Sequence, residues 1–311
     1  MAAPALALLV LLVTVIRGTD DTSERRDGAA ASAPEASAAP RPSELPGGGR
    51  EIFPASRVVA FYGAPQDEAL GALGIGSPAQ AADRLAKQAK PYARSDRPAL
   101  PAFELLATVA NADPGQDELY RTRQSPGLVR RYLDAARAAG ALLILDIQPG
   151  RADFMSETRA FEEFLREPDV SLALDPEWHI GPGEVPGETL GSVTAADVNR
   201  VGAYLSGIVE RYDLPEKLLV VHQFTFDMIE DRDELQDHPG VELTLNVDGF
   251  GGQEVKVQKY DEFTADAKRP VAKGAAERPN GFKLFYEEDV GLMTPREVLG
   301  LEPAPDFVVY E

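Results

Sequence analysis

Three observations predict a (β/α)8 barrel for this chain. Short β-branched and aromatic runs alternate with helical stretches from residue 57 to the end, about 255 residues. Eight such runs can be counted, and each but the last is followed by a helix or helix-like connector. The first turn, YGAPQDEALGALGIG, lacks the G-x-G-x-x-G spacing that an open, doubly wound nucleotide-binding sheet would show. Eight parallel strands closed by right-handed crossovers are the arrangement that fits both count and length.

The elements follow in order. RVVAFYG (57–63) is the first strand, followed by a helical pattern at 79–90. PAFELLATVA (101–110) is the second, before a helix at 125–140 with Pro near its start and Gly at its end. ALLILDIQ (141–148) is the third, with a helix at 158–167, and VSLALDPEW (170–178) is the fourth. The longest helix spans 194–212, with Thr194 as N-cap and Leu214-Pro215 closing it. KLLVVHQF (217–224) and VELTLNVDG (241–249) are the fifth and sixth strands, and 259–276 is a broken helical region. GFKLFYEED (281–289) is the seventh strand, TPREVLGL (294–301) a short helix, and DFVVYE (306–311) the eighth strand. No closing helix follows, and residues 17–56 are the segment available to cover that gap.

Residues 1–16, MAAPALALLVLLVTVI, read as an export signal or membrane anchor, although no Lys or Arg precedes them and Arg17 follows. Residues 17–50 are rich in Ala, Pro, Ser, Gly and charge, with Leu45 their only Leu, Ile or Val and no aromatic. Such a segment cannot bury enough surface to offset its ordering entropy and reads as a disordered linker, leaving 51–311 as the barrel domain. An extracellular or cell-surface location is expected.

The chain carries 31 basic and 51 acidic residues, a formal charge of −20. That field repels phosphate backbones and anionic lipid, so no nucleic-acid partner is expected and membrane contact only through the N-terminal segment. Cysteine is absent, which excludes disulfides, thiolate metal sites and a cysteine nucleophile. No G-x-S-x-G elbow occurs, and PGGGR (46–50) lacks the Lys-Ser/Thr of a phosphate loop. His179, His222 and His238 do not sit at zinc-ligand spacing, and His238, before Pro239-Gly240, reads as a turn residue. No metal or other cofactor is expected, and a monomer is.

Strand alternation gives the polar residues a direction. In 170–178, Val170, Leu172, Leu174, Pro176 and Trp178 suit the layer between strands and helices, whereas Ser171, Ala173, Asp175 and Glu177 face the barrel interior. In strand six, Asn246 and Asp248 share the inward face, and in strand three Asp146 and Gln148 do. One of His222 and Gln223 must face inward, and likewise one of Glu287 and Glu288. Tyr62 and Tyr310 end strands one and eight, and Trp178, the sole tryptophan, follows the carboxylate pair. A single strand-end Asp is more often a solvated turn residue than a catalyst. Convergence of six strands on one acidic, amide-rich and aromatic mouth points instead to a carbohydrate site. There Glu177 and Asp175 are the candidate acid–base pair, with Glu287 or Glu288 the alternative partner. Trp178, Tyr62, Asp146, Gln148, His222, Gln223, Asn246, Asp248 and Tyr310 are the candidate binding residues. The loop 179–192, HIGPGEVPGETLGS, is placed to shape the cleft.

The stretch Val170 to Trp178 resembles the fourth strand of the chitinase-like family 18 glycoside hydrolases, which ends D-x-x-D-x-D-x-E before an aromatic residue. Asp175, Glu177 and Trp178 match, while Val170 and Ala173 stand where that family has aspartates. The resemblance implies Glu177 as general acid/base, with Asp175 orienting an acetamido group or tuning Glu177. The chain is also similar to the retaining barrel glycosidases, which place the acid on strand four and the nucleophile on strand seven, implying Glu177 with Glu287 or Glu288. The Asn that precedes the acid in that group is replaced by Pro176. Two other readings stay open: a surface barrel that binds glycans without cleaving them, and a hydrolase holding Mg²⁺ or Ca²⁺ through Asp146, Asp175, Glu177 and Asp248.

Overall fold

The computed structural model describes residues 43–265 and 278–311. The opening apolar segment 1–16, most of the linker and the second half of the expected helical region 259–276 lie outside the described residues. Eight strands form the barrel: β1 (Arg57–Gly63), β2 (Ala99–Ala110), β3 (Leu142–Ile147), β4 (Val170–Leu174), β5 (Lys217–Gln223), β6 (Val241–Val247), β7 (Asn280–Leu284) and β8 (Phe307–Tyr310). Each pairs in parallel with its sequence neighbours, and β1 pairs with both β2 and β8, so the sheet closes.

Helices α1 (Pro78–Ala89), α2 (Pro126–Ala138), α3 (Phe154–Ala160), α4 (Glu162–Leu165), α5 (Ala195–Tyr212), α6 (Gln253–Phe263) and α7 (Pro295–Val298) occupy the connections. Only β5 and β6 are joined without an α-helix. Local chemistry sets the helix starts. Ser77 and Gln80 form a reciprocal capping box on α1, Ser125 caps α2 ahead of Pro126, and Thr194 accepts from the Asp197 amide to start α5. Among the described residues no helix is long and apolar enough to cross a membrane.

The strands alternate as their sequences require. Val170, Leu172, Leu174, Val241, Leu243, Leu245 and Val247 join the large core between sheet and helices. Val58, Ala60, Tyr62, Ala102, Leu106, Ile144, Ala173, Val220 and Val309 fill the barrel interior. Residues 43–56 do not stand in for a closing helix. Leu45, Ile52 and Phe53 join the interior cluster with the first residues of the strands, sealing the N-terminal end of the barrel. Backbone and side-chain bonds hold this plug: Ile52 N–H donates to Glu216 Oε2 (2.7 Å), Glu216 N–H to the Arg50 carbonyl (2.9 Å), and Arg50 to the Leu214 carbonyl (2.8 Å).

Three elements end or start elsewhere than their sequences suggest. β4 stops at Leu174, and Pro176–Trp178 is a 3-10 turn. Pro176 has no N–H to extend the ladder. β7 stops at Leu284, because Asp289 folds back to accept from the Phe285 amide (3.0 Å) and to pair with Lys256 (2.8 Å). α6 begins at Gln253 rather than 259, burying Lys256, Tyr260 and Phe263 on one face. Lys256 hides that face in the sequence. Its stem is buried while its ammonium donates to the Gly249 and Lys283 carbonyls, each at 2.9 Å.

Candidate active site

Titratable groups converge on the C-terminal end of the barrel, where the strands deliver inward side chains from several directions. A cleft of about 390 Å³ opens there, lined by Tyr62, Gln148, Asp175, Glu177, Trp178, Asp248, Lys283 and Glu311, with Phe224, Phe250 and Phe285 among its apolar walls. A second hollow of about 710 Å³ lies at the opposite end, against the 44–51 plug. Its lining has no comparable convergence of acids and bases, so the upper cleft is the candidate site.

Beneath the cleft lies a buried polar layer centred on His222. Its Nε2 is 2.9 Å from Glu104 Oε1 and 3.3 Å from Asp146 Oδ2. Its Nδ1 is 3.0 Å from Asp248 Oδ2, with the Asn246 amide at 3.1 Å. Burial opposes charge on His222, but Glu104, Asp146 and Asp248 together raise it well above an ordinary histidine. Lys283 is held in the same way. Burial would discharge it, yet Asp248 (3.1 Å) and Glu311 (2.7 Å) keep it strongly basic, and its ammonium lies 3.9 Å from the centre of the Tyr62 ring.

The carboxyls of this region are driven apart. Asp248 is buried, which alone would raise it. Lys283, His222 and the Gly249 amide (2.6 Å to Oδ1) outweigh burial and hold it well below the usual carboxylate range. Asp175 is raised well above that range, first by burial and next by Asp146, against the opposing pull of His222 and Lys283. Glu177 is raised to about 7, by burial and by the nearby charge of Asp248. No cation pairs with its side chain among the described residues. A chain of hydrogen bonds runs from Gln148 Nε2 to Tyr62 Oη (3.0 Å) and from Tyr62 Oη to Asp175 Oδ2 (3.4 Å). Burial pushes the Tyr62 phenol well up, so it stays a donor.

The sequence-predicted residues fall into three groups. Asp175, Glu177, Trp178, Tyr62, Gln148 and Asp248 line the cleft. Glu177 reaches it from the 3-10 turn and not, as strand alternation implied, from β4 itself. Asp146, His222 and Asn246 face inward but sit in the layer below. Tyr310, Gln223, Glu287 and Glu288 are not brought to the mouth. Tyr310 belongs to the outer core, hydrogen-bonded to the Tyr92 hydroxyl at 2.6 Å, because Phe307 and Val309 take the inward positions of β8 and Glu311, just past its end, reaches the cleft. Gln223 follows the inward His222 and so points outward, donating to the Phe226 carbonyl (2.8 Å). Glu287 and Glu288 are exposed on the turn after β7, whose inward carrier is Lys283.

Glu104, Lys283 and Glu311 are the site residues that strand-end reading missed. Glu104 had a signal, being the one charged residue within the apolar run 99–110, and Lys283 the same within 281–285. Among the described residues, Glu104, Asp146 and His222 also form a group of potential metal-ligand atoms within 4.8 Å of one another.

No family model matches this chain, and no match is found among curated proteins. Among solved structures, the chain is similar to ZgEngAGH5_4 in complex with a cellotriose, at 11% identity over 84% of this chain and 88% of that one, with a TM-score of 0.41.

Proposed function

We propose that the barrel mouth hydrolyses a glycosidic bond, with Glu177 as general acid and Asp248 as its ionised partner. One observation carries this reading: of the carboxyls that line the cleft, Asp248 is paired with Lys283 at 3.1 Å whereas Glu177 has no cation partner among the described residues. Environments that push two carboxyls apart separate the proton donor from the anion. Glu177, raised to about 7, holds a proton to give to the leaving oxygen near neutral pH. Asp248 keeps its charge opposite the oxocarbenium-like centre that develops as the bond breaks. Tyr62 and Gln148 position Asp175 rather than the substrate directly, whereas Trp178, Phe250 and Phe285 offer ring faces for sugar stacking.

The proposed substrate is an extracellular or cell-wall polysaccharide. That choice rests on the apolar opening segment and the linker composition of residues 1–50. The test compares the full chain with Glu177→Gln and Asp248→Asn on peptidoglycan, chitin oligomers, and α- and β-glucans. Wild type is expected to cleave at least one. Glu177→Gln is expected to lose about 10²–10⁴-fold in rate, the span of a general acid's contribution, while still binding that polymer. The anomer formed first, read by proton NMR, discriminates attack by Asp248 from attack by a water that it activates. Binding without cleavage by wild type and variants alike would refute hydrolysis and leave a glycan-binding barrel.

A further inference from the structure

The geometry points to a buried site for one divalent transition-metal ion beneath the cleft floor, with Glu104, Asp146 and His222 Nε2 as its protein ligands. This inference is independent of the glycosidase reading, because none of the three lines the cleft.

Two kinds of observation meet here. The ligand atoms are already assembled: His222 Nε2 lies 2.9 Å from Glu104 Oε1 and 3.3 Å from Asp146 Oδ2. Ligands on bonds of ~2.1 Å stand about 3.0 Å apart along an octahedral edge and about 3.4 Å along a tetrahedral one. The donors are also incompletely satisfied by the protein. Both oxygens of Asp146 and the Oε2 of Glu104 are buried without a hydrogen-bond partner, and both side chains are 0% exposed. Asp146 Oδ2 stands 3.3 Å from Nε2, whose single proton has the nearer Glu104 Oε1 at 2.9 Å as its acceptor. A native interior rarely leaves a carboxylate in that state unless an ordered water or an ion completes it, and here a histidine nitrogen stands beside the open oxygens as a further ligand atom.

The surroundings fit coordination. Asp248 Oδ2, 3.0 Å from Nδ1, fixes the histidine with Nδ1–H toward the carboxylate, which turns Nε2 to the metal. Coordination displaces the Nε2 proton to solvent, and no other bond changes. Around the proposed site the buried carboxylates Glu104, Asp146 and Asp248 stand against the cations of His222 and Lys283, so an added cation suits the local balance. One imidazole with two carboxylates favours zinc or manganese over magnesium or calcium.

The test uses the full chain stripped with a chelator, titrated calorimetrically with Zn²⁺ and Mn²⁺ and, as controls, Mg²⁺ and Ca²⁺. One equivalent of Zn²⁺ or Mn²⁺ is expected to bind and to raise Tm with metal concentration. Asp146→Asn and Glu104→Gln should each lose that binding, and Glu177→Gln should retain it while losing cleavage. X-ray absorption of the loaded wild type should show one imidazole nitrogen among oxygens. No binding at millimolar metal, binding unchanged in both carboxylate variants, or a shell without imidazole would each overturn the site. The absorption measurement needs no variant to fold.

Discussion

Glu177 and Asp248 receive opposite treatment from the same barrel, and the difference lies in what reaches each. Asp248 follows β6 beside Lys283 and His222, whereas Glu177 sits on a turn where proline has ended the ladder and, among the described residues, no cation pairs with it. The pH dependence follows. A general acid works only while protonated, so activity should be full below about 7 and fall tenfold per pH unit above it, Glu177 being raised to about 7. The sign is that of loss with rising pH. A profile of kcat/KM measures it, and an alkaline limb near the ordinary glutamate value would remove Glu177 from that role. Val255 and Val290 are exposed apolar residues for which the chemistry of this cleft gives no reason.

At the scale of elements, the plug formed by residues 43–56 belongs to the barrel's stability. Ile52 is fully buried among the first residues of the strands. Ile52→Ala should therefore cost about 2–5 kcal/mol, the range for truncating a buried isoleucine, read as a lower urea midpoint at unchanged m-value. A change below half a kcal/mol would mean the plug is an ornament on a self-sufficient barrel. Its composition concealed it: Leu45, Ile52 and Phe53 are scattered among Gly, Pro and charge, so no period marks them. The strands were legible because each buries both faces and reads as a short β-branched run between turn residues. Strand ends were less so. Alternation carried past Leu174 and Leu284 assigned Glu177 to a strand and one of Glu287 and Glu288 to the mouth, where tertiary bonds of Asp289 and the missing N–H of Pro176 decide otherwise. Within the site, Asp146, Asp175 and Asp248 could be read because they end runs. Glu104 lies in mid-strand, and only the closed barrel shows that mid-strand positions also meet.

The whole molecule adds a long-range field to these contacts. Of its −20 charge, residues 17–50 carry five basic and six acidic groups, a net of −1, and 1–16 carry none, so −19 belongs to residues 51–311. The cleft shares that sign, with Asp248 and Glu311 set against Lys283 alone at its wall. A polymer bearing carboxylates or phosphates meets repulsion before any contact forms, while a neutral glycan does not. With a screening length of about 30 Å at 0.01 M salt and about 10 Å at 0.1 M, the repulsion should be strong in dilute buffer and largely removed at higher ionic strength. The full chain should therefore act on a neutral oligosaccharide at a rate almost independent of salt. A uronic-acid oligosaccharide of equal length should be poorly used at low salt and gain as salt is added. Initial rates on the two substrates across that range measure the effect. Equal use of both at low salt would mean that Lys283 and local contacts override the global field, so that the acidity of the surface serves solubility and plays no part in substrate choice.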